Sequence, residues 1–422
     1  MRVDARQFSG LILAGEVGRL YGPGSISQSM DYLLVANLFL LLFLGLADNQ
    51  MIAALLPTLV SSLHVTVGLA GLLVVAYSAA AAVAAFVSGP LSDHYGRRAF
   101  LLVGAAGFTL ASWSASRAET FRGLLLARAL TGLAAGVIST CSIAFAGDRF
   151  PYAVRGKAIG LISSAYFAAP IIGVPLAGQV ADRFGWRLVF AFFAGLSLVV
   201  FFVSLRLPKD DRASALSSAG FQASVQAFRS FLKRRDIRAA LCIAFLVSGG
   251  LVGFITYIGQ WLHDRFSIAT GEITMVFMAG GLASLVGAPL GGMLSDKWGK
   301  RTVSIASNIQ LALAVALVPF LRWGPALFLV FGATGLGAAF RQGPLTALMT
   351  ELVPAARRGA FIALRNISSQ IGIGIAALAG GILYQWHGYF AVSSLCAAMT
   401  ALVAVLLATH IIEPQPAADR SI

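Results

Sequence analysis

Gly89-Pro90-Leu91-Ser92-Asp93-His94-Tyr95-Gly96-Arg97-Arg98 comes back as Gly292-Met293-Leu294-Ser295-Asp296-Lys297-Trp298-Gly299-Lys300-Arg301, an offset of 292 − 89 = 203 positions. The same offset carries Asp148 to Glu351, Pro151 to Pro354, Arg155-Gly156 to Arg358-Gly359 and Gly185 to Gly388. Separate landmarks at one spacing define a long internal repeat, so the chain is a doubled unit.

The repeat lies in a chain that is 58% hydrophobic and 11% charged, with a mean hydropathy of +0.83. Soluble domains carry roughly 25% charged residues, so this composition belongs to an integral membrane protein. Twelve apolar segments, each about 20 residues and long enough for a hydrocarbon core of about 30 Å, fall near 33–60, 69–91, 99–117, 122–148, 157–181, 188–207, 238–261, 272–294, 302–321, 325–350, 359–385 and 388–411. The apolar runs are continuous, not alternating, which predicts helices over a barrel. The expected fold is all-α, with twelve transmembrane helices in two pseudo-symmetric six-helix halves. That is the parallel-repeat plan of secondary transporters, whose halves face each other across a substrate pathway. The expected divisions are a tail (1–32), an N-terminal half (33–207), a linker (208–237), a C-terminal half (238–411) and a second tail (412–422).

The net charge of +14 is spread over short loops and not gathered on one polar domain, which argues against a nucleic-acid partner. Its distribution reports topology. With the N-terminus inside, inner loops hold Arg97, Arg98, Arg149, Arg155, Lys157, Arg206, Lys209, Arg212, Arg229, Lys233, Arg234, Arg235, Arg238, Lys297, Lys300, Arg301, Arg357 and Arg358, against Arg117, Arg122, Arg183, Arg187, Arg265 and Arg322 outside. The positive-inside rule then places both termini in the cytoplasm, in a multi-pass protein expected in a bacterial inner membrane. Residues 1–29 are either a flexible tail or lie before the true start at Met30. In the linker, Phe221, Val225, Phe228 and Leu232 recur at helical spacing beside Arg229, Lys233, Arg234 and Arg235. This predicts an amphipathic helix on the inner leaflet, the alternative being a disordered tether.

Cys141, Cys242 and Cys396 fall in three different spans without metal or redox spacing, and the histidines at 64, 94, 263, 387 and 410 stand singly. No metal, cofactor or enzymatic site is expected.

The Gly89-to-Arg98 segment resembles the loop signature of the major facilitator superfamily: glycine, apolar, small, Asp, two variable positions, Gly, two basic residues. The resemblance covers 33–411, and the second copy, from Gly292 to Arg301, matches nearly in full. It implies a cytoplasmic latch of Asp93, Arg97 and Arg98 that holds one conformation, with gating positions Gly89, Gly96, Asp148, Arg155, Asp296, Gly299, Arg301, Glu351 and Arg358. The bland reading is that these residues fix topology and tie loops together. Asp148 and Glu351 fall at cytoplasmic ends, where the repeat pairs them with Arg155 and Arg358. Arg128, with Gly132 and Gly136 one and two turns on, is similar to the fourth-helix signature of the family's proton antiporters. An ionised side chain there is expensive and needs a partner, unless it snorkels outward. In the fifth span, Ala165, Ala169-Pro170, Gly173, Pro175 and Gly178, followed by Asp182-Arg183-Phe184-Gly185-Trp186-Arg187, are similar to the drug:proton antiporter motif, with alanine in two places where that pattern has glycine. Packing alone explains those small residues equally well.

Asp48 lies inside a first span that is otherwise apolar from Leu33 to Leu56, and no other Asp or Glu sits deep in a span. A carboxyl group taken out of water favours its neutral form, which suits it to load and release a proton. Twelve-span antiporters with a first-helix acid imply the same role, with Arg128 tuning it. The structural alternative is a permanent Asp48–Arg128 pair joining two helices. Arg341 has no partner by the repeat, because 341 − 203 = 138 and Ile138 is apolar. It is expected to bind an acidic or hydrogen-bonding part of a solute, or to compensate Asp48. Asn49 and Gln342 beside these charges, with Phe145, Tyr166, Phe167, Phe254, Tyr257, Trp261 and Tyr384, are expected to line an amphiphilic pocket. Arg365, Asn366, Asn308 and Gln310 are weaker candidates.

The sequence therefore reads as a monomeric carrier in a lipid bilayer, with a small-molecule substrate, no cofactor, and a proton gradient as energy source. It would export drugs or small amphiphiles in exchange for protons. Alternatives are a sugar, organic-anion or metabolite carrier working by uniport or proton symport, or a non-transporting sensor or lipid-handling protein.

Overall fold

The computed structural model describes residues 31–208, 230–354, 358–411 and 413, and among them every element is helical. The N-terminal half comprises α1 (Tyr32–Leu63), α2 (Val67–Tyr95), α3 (Arg97–Ser116), α4 (Phe121–Arg149), α5 (152–184) and α6 (Trp186–Ser204). The C-terminal half comprises α7 (Arg235–Phe266), α8 (Thr270–Trp298), α9 (Lys300–Leu317) and α10 (Pro325–Glu351), then a stretch, Arg358–His410, that is helical except at Gly388 (φ 69°). That break divides it into α11 (358–387) and α12 (389–410). Ten of the described helical stretches, Ala360–His410 counted once, are long and apolar enough to cross a membrane; dividing that stretch and adding α10 gives the twelve expected. The two tails and most of the linker, with its expected amphipathic helix, lie outside the described residues apart from Asp31, Tyr32, Glu413 and the linker's ends.

Local chemistry sets the helix ends. Asp31 accepts from Leu34 N at 3.1 Å, Thr66 from Leu69 N at 3.3 Å and Thr120 from Gly123 N at 3.2 Å, each satisfying an amide that a helix start leaves open. Gly96 (φ 91°) and Gly299 (φ 88°), 203 positions apart, make turns that a side chain would strain. His64 (φ 51°) and Ser267 (φ 54°) adopt left-handed caps at the same offset without that freedom. The repeat is therefore carried in backbone geometry beyond the sequence landmarks.

The charged ends repeat too. Arg97 pairs with Asp148 at 2.6 Å in the first half, and Lys300 pairs with Glu351 in the second, both positions shifted by 203. Arg98 Nη2 donates to the Leu205 carbonyl at 2.7 Å, and Arg301 Nη2 donates to the Ala408 carbonyl, again at the same offset. These contacts fasten the starts of α3 and α9 to the ends of their own halves. They correct the expectation that Asp148 pairs with Arg155 and Glu351 with Arg358. Arg155 Nε donates instead to the Phe150 carbonyl at 3.2 Å, and Arg358 is exposed. The reason is geometric: helix packing brings α3 beside the end of α4, while Arg155 begins a helix that leaves that end. The Asp93 side chain lies outside the described ones, and Asp296 is exposed, so the described partners of Arg97, Arg98 and Arg301 tie loops within one half. Glu413 adds a cap the sequence reading missed, accepting from Lys300 N at 2.8 Å and Arg301 N at 3.1 Å at the start of α9.

Among the described residues, hydrogen bonds and close glycine approaches between the halves lie from the middle of the bundle to the end opposite these basic loops. Thr58 and Thr270 hydroxyls meet at 3.1 Å, and Gly271 N donates to Asp182 Oδ2 at 2.6 Å. A Cβ on Gly259 would lie 2.1 Å from the Ala53 carbonyl, one on Gly178 2.4 Å from Thr274, and one on Gly381 2.9 Å from Gly68. Small residues let backbones meet where lipid supplies no hydrophobic drive. The halves are sealed at the far end, and toward the basic end Tyr166 of α5 and Arg365 of α11 interact across them while staying partly exposed, which marks a cleft there. A carboxylate on the first turn of α8 also complements its dipole. Asp182→Ala should weaken the seal by about 1 kcal/mol, as for a lost cap. Hydrogen exchange over 270–274 should rise several-fold while α3 stays unchanged, and unaltered exchange would deny the contact any part in closure.

Candidate functional site

Asp48 on α1 and Arg128 on α4 are both fully buried, and Arg128 Nη1 donates to Asp48 Oδ2. The guanidinium also lies 4.6 Å over the ring of Tyr77 on α2, whose hydroxyl donates to the Gly45 carbonyl at 2.8 Å. Arg128 does not snorkel; it is held on two sides inside the N-terminal half.

The glycines after Arg128 explain how. A Cβ on Gly132 would lie 2.2 Å from the Tyr77 carbonyl oxygen, and one on Gly136 2.6 Å from that of Ala81. Only glycine lets α4 approach α2 this closely, and that approach puts the Tyr77 ring under the cation. The arginine-glycine-glycine run is thus a packing device that builds the site. On the other side, a Cβ on Gly173 would lie 2.6 Å from that of Ala47, so α5 packs on α1 beside Asp48. Here α5 takes a π-helical turn over Ala169–Gly173. Pro170 and Pro175 cannot donate back along the helix, which loosens the ladder at that point.

The pair is incompletely satisfied: Asp48 Oδ1 and Arg128 Nε and Nη2 have no hydrogen-bond partner among the described residues, nor does the neighbouring Asn49 Oδ1. Among the described residues Asp48 is the one buried acid. A buried pair of this kind is held by mutual attraction against a desolvation penalty of several kcal/mol per ion, so neutralising Asp48 alters its environment strongly.

The structure sorts the other expected site residues into three places. Arg341 faces the interior of the C-terminal half, 1% exposed, donating to Asn308 Oδ1 at 2.7 Å and to the Val247 carbonyl at 3.1 Å. This corrects its expected role in solute binding, because Arg341 is buried in the α7–α9–α10 contact, where both terminal nitrogens are engaged. Tyr257, Trp261 and Tyr384 also leave the expected pocket. The Tyr257 hydroxyl donates to the Ala377 carbonyl and sits against Gly71, Trp261 stacks on Tyr389 with centroids 5.1 Å apart, and Tyr384 donates to Asp264 at 2.7 Å. Tyr257 thereby joins the far-end seal, while Trp261 and Tyr384 pack against rings and an acid of their own half. Phe145 and Phe254 are buried core.

The third place is the cleft. Tyr166 is 44% exposed on α5, and Arg365 on α11 of the opposite half stands close enough to interact with it electrostatically. Arg365 Nη1 donates to Thr346 Oγ1 of α10 at 3.3 Å, and exposed Gln342 lies one turn from Thr346 on the same face. Asn49 lies one turn from Ala53, which meets Gly259, and is half-buried just below the seal with its Oδ1 shut from solvent. Phe167 is half-buried beside Tyr166. The sequence reading ranked Arg365 below Arg341; what separates them is the Asn308 side chain, whose reach to Arg341 depends on helix rotation.

The Major Facilitator Superfamily model matches residues 38–269 and 240–422. YwfA of Bacillus subtilis, named an uncharacterized MFS-type transporter, is 29% identical over 89% of this chain and 91% of its own length. The multidrug resistance protein Stp of Mycobacterium tuberculosis is 27% identical over 82% of this chain and 74% of its own. A D-xylose-proton symporter structure superposes with a TM-score of 0.76 over 91% of this chain and 99% of that one, at 17% identity, and so shares the fold.

Removing one member of a buried pair costs about 3–5 kcal/mol, whereas replacing both with neutral groups of similar shape is far milder. Asp48→Asn and Arg128→Gln should each lower thermal stability strongly, and the double variant should recover much of the loss. Additive losses would mean that the two charges are not held by each other.

Proposed function

We propose that this chain, which belongs to the Major Facilitator Superfamily and is a multi-pass membrane transporter, exports small amphiphilic molecules, drugs among them, in exchange for protons. The observation that carries the reading is the buried Asp48–Arg128 pair, placed beside a cleft that opens at the basic end of the molecule. The similarity to a protein named for multidrug resistance supports the drug class.

With the basic end cytoplasmic, the described state faces inward with Asp48 ionised and paired. A solute enters from the cytoplasm, the cleft closes around it and the far-end seal opens. Outside, a proton on Asp48 removes its charge and frees Arg128 from it, and the return to the inward state releases the proton where it is scarcer. Alternating access of this kind requires one site to bias two global states, and α1 carries both Asp48 and the seal residues Ala53 and Thr58.

The test is substrate-induced proton movement in inside-out vesicles holding a known pH gradient, screened over amphiphilic drugs, sugars and organic acids, with Asp48→Asn beside wild type. Antiport predicts proton release with one solute class and its loss in Asp48→Asn. Proton movement in the opposite sense would favour a symporter. Solute equilibration that ignores both the gradient and the substitution would identify a facilitator in which Asp48 is structural.

A further inference from the structure

We propose that Arg365 is the anchor of an anion-binding subsite in the cleft, selecting solutes that carry a carboxylate or a comparable acidic group on an apolar body. The inference rests on the transport reading only in taking the cleft as the solute's path.

Three arginines lie within the spans away from the helix ends, and their partners differ. Arg128 has Asp48 and the Tyr77 ring. Arg341 has Asn308 and a backbone carbonyl inside its own half. Arg365 is half-buried, with a single described hydrogen bond, long at 3.3 Å, from Nη1 to the Thr346 hydroxyl. A guanidinium carries five donors in a planar fork suited to a carboxylate's two oxygens, so most of its capacity remains open toward the cleft.

The surroundings favour an anion. Tyr166 of the opposite half lies within electrostatic reach of Arg365 and is partly exposed. Gln342 adds an amide one turn from Thr346. The acids nearest in the fold are already engaged, Asp48 by Arg128 and Glu351, five residues on from Thr346, by Lys300. An entering anion therefore meets a cation, neutral donors and no free carboxylate among the described residues. A cationic amphiphile would meet the reverse. The repeat places no counterpart at this point, because 365 − 203 = 162 and Ile162 is apolar, so the duplicated scaffold does not require the charge.

The experiment is calorimetric binding to the full-length protein in nanodiscs at neutral pH, with three matched pairs: benzoate and benzamide, 1-naphthylacetate and 1-naphthylacetamide, dodecanoate and dodecanamide. At least one acid should bind about tenfold or more tightly than its amide, as a charge-assisted bidentate contact allows. Arg365→Gln should erase the preference, weakening the acid far more than the amide. Arg365→Lys, which keeps the charge but not the fork, should retain part of it. No preference in any pair, or a preference that survives Arg365→Gln, overturns the subsite. Should Arg365→Gln fail to fold, Arg365→Lys decides, since an undiminished preference in that variant also overturns it. Proton movement driven by a neutral amphiphile, without any preference for acids, would leave exchange intact and remove this inference. Acid preference without proton movement would do the opposite.

Discussion

A guanidinium and a carboxylate shut away from water together are the constraint around which the N-terminal half is built. Neither Asp48 nor Arg128 is tolerable alone at that depth, and their attraction is worth having only while both stay charged and in contact. Three helices are arranged to keep them so. Gly132 and Gly136 bring α4 onto α2, Gly45 admits α4 beside α1, where a Cβ would lie 3.2 Å from that of Ala135, and Tyr77 closes the site from the third side. Small residues that look like generic membrane packing are here the reason the ion pair has its geometry.

The two halves share a scaffold and differ in chemistry. Gly335 meets the Gly280 backbone as Gly132 meets Tyr77, with both members of the contact shifted by 203. At the repeat position of Arg128 stands Phe331, stacked on Phe254, and at that of Tyr77 stands Gly280, whose missing side chain leaves room for the Phe331 ring. One half thus fills the same space with an ion pair over a ring, and the other with an aromatic cluster. The ion pairs at the basic end are kept in both copies because they fasten helix ends, a task each half has. The buried charges have no counterpart in the other copy, the Asp48–Arg128 pair tying α1 to α4 in one half and Arg341 tying α7, α9 and α10 in the other.

That division explains what could be read from the sequence. The twelve spans, the doubled plan and the partnership of Asp48 with Arg128 were legible, since composition, the offset of 203 and the cost of a buried charge each point one way. The partners of Asp148 and Glu351 were misread in favour of arginines close in sequence, although Arg97 and Lys300 keep a positive charge under the same offset and carried the signal. The orientation of Arg341 and the fate of Tyr257, Trp261 and Tyr384 were not legible. Whether a helical side chain meets a cleft, a seal or a core depends on helix rotation, and an apolar helix with charges on no consistent face gives no periodic pattern from which to read it.

In the proposed cycle, the proton site and the far-end seal belong to one rigid element. Asp48 and Thr58 are ten residues apart on α1, about 15 Å along the axis of a helix, with Ala53 against Gly259 between them. Tyr77 and Gly71 stand in a similar relation on α2, one under Arg128 and the other against Tyr257 of the opposite half. A change of charge at Asp48 alters how α1, α2 and α4 hold together, and the same α1 and α2 present the surfaces that close on α7, α8 and α11. Because packed interfaces are bistable and do not deform continuously, a loosening of the ion pair need not travel through a chain of intermediates to reach the seal. It acts on the two helices that form both.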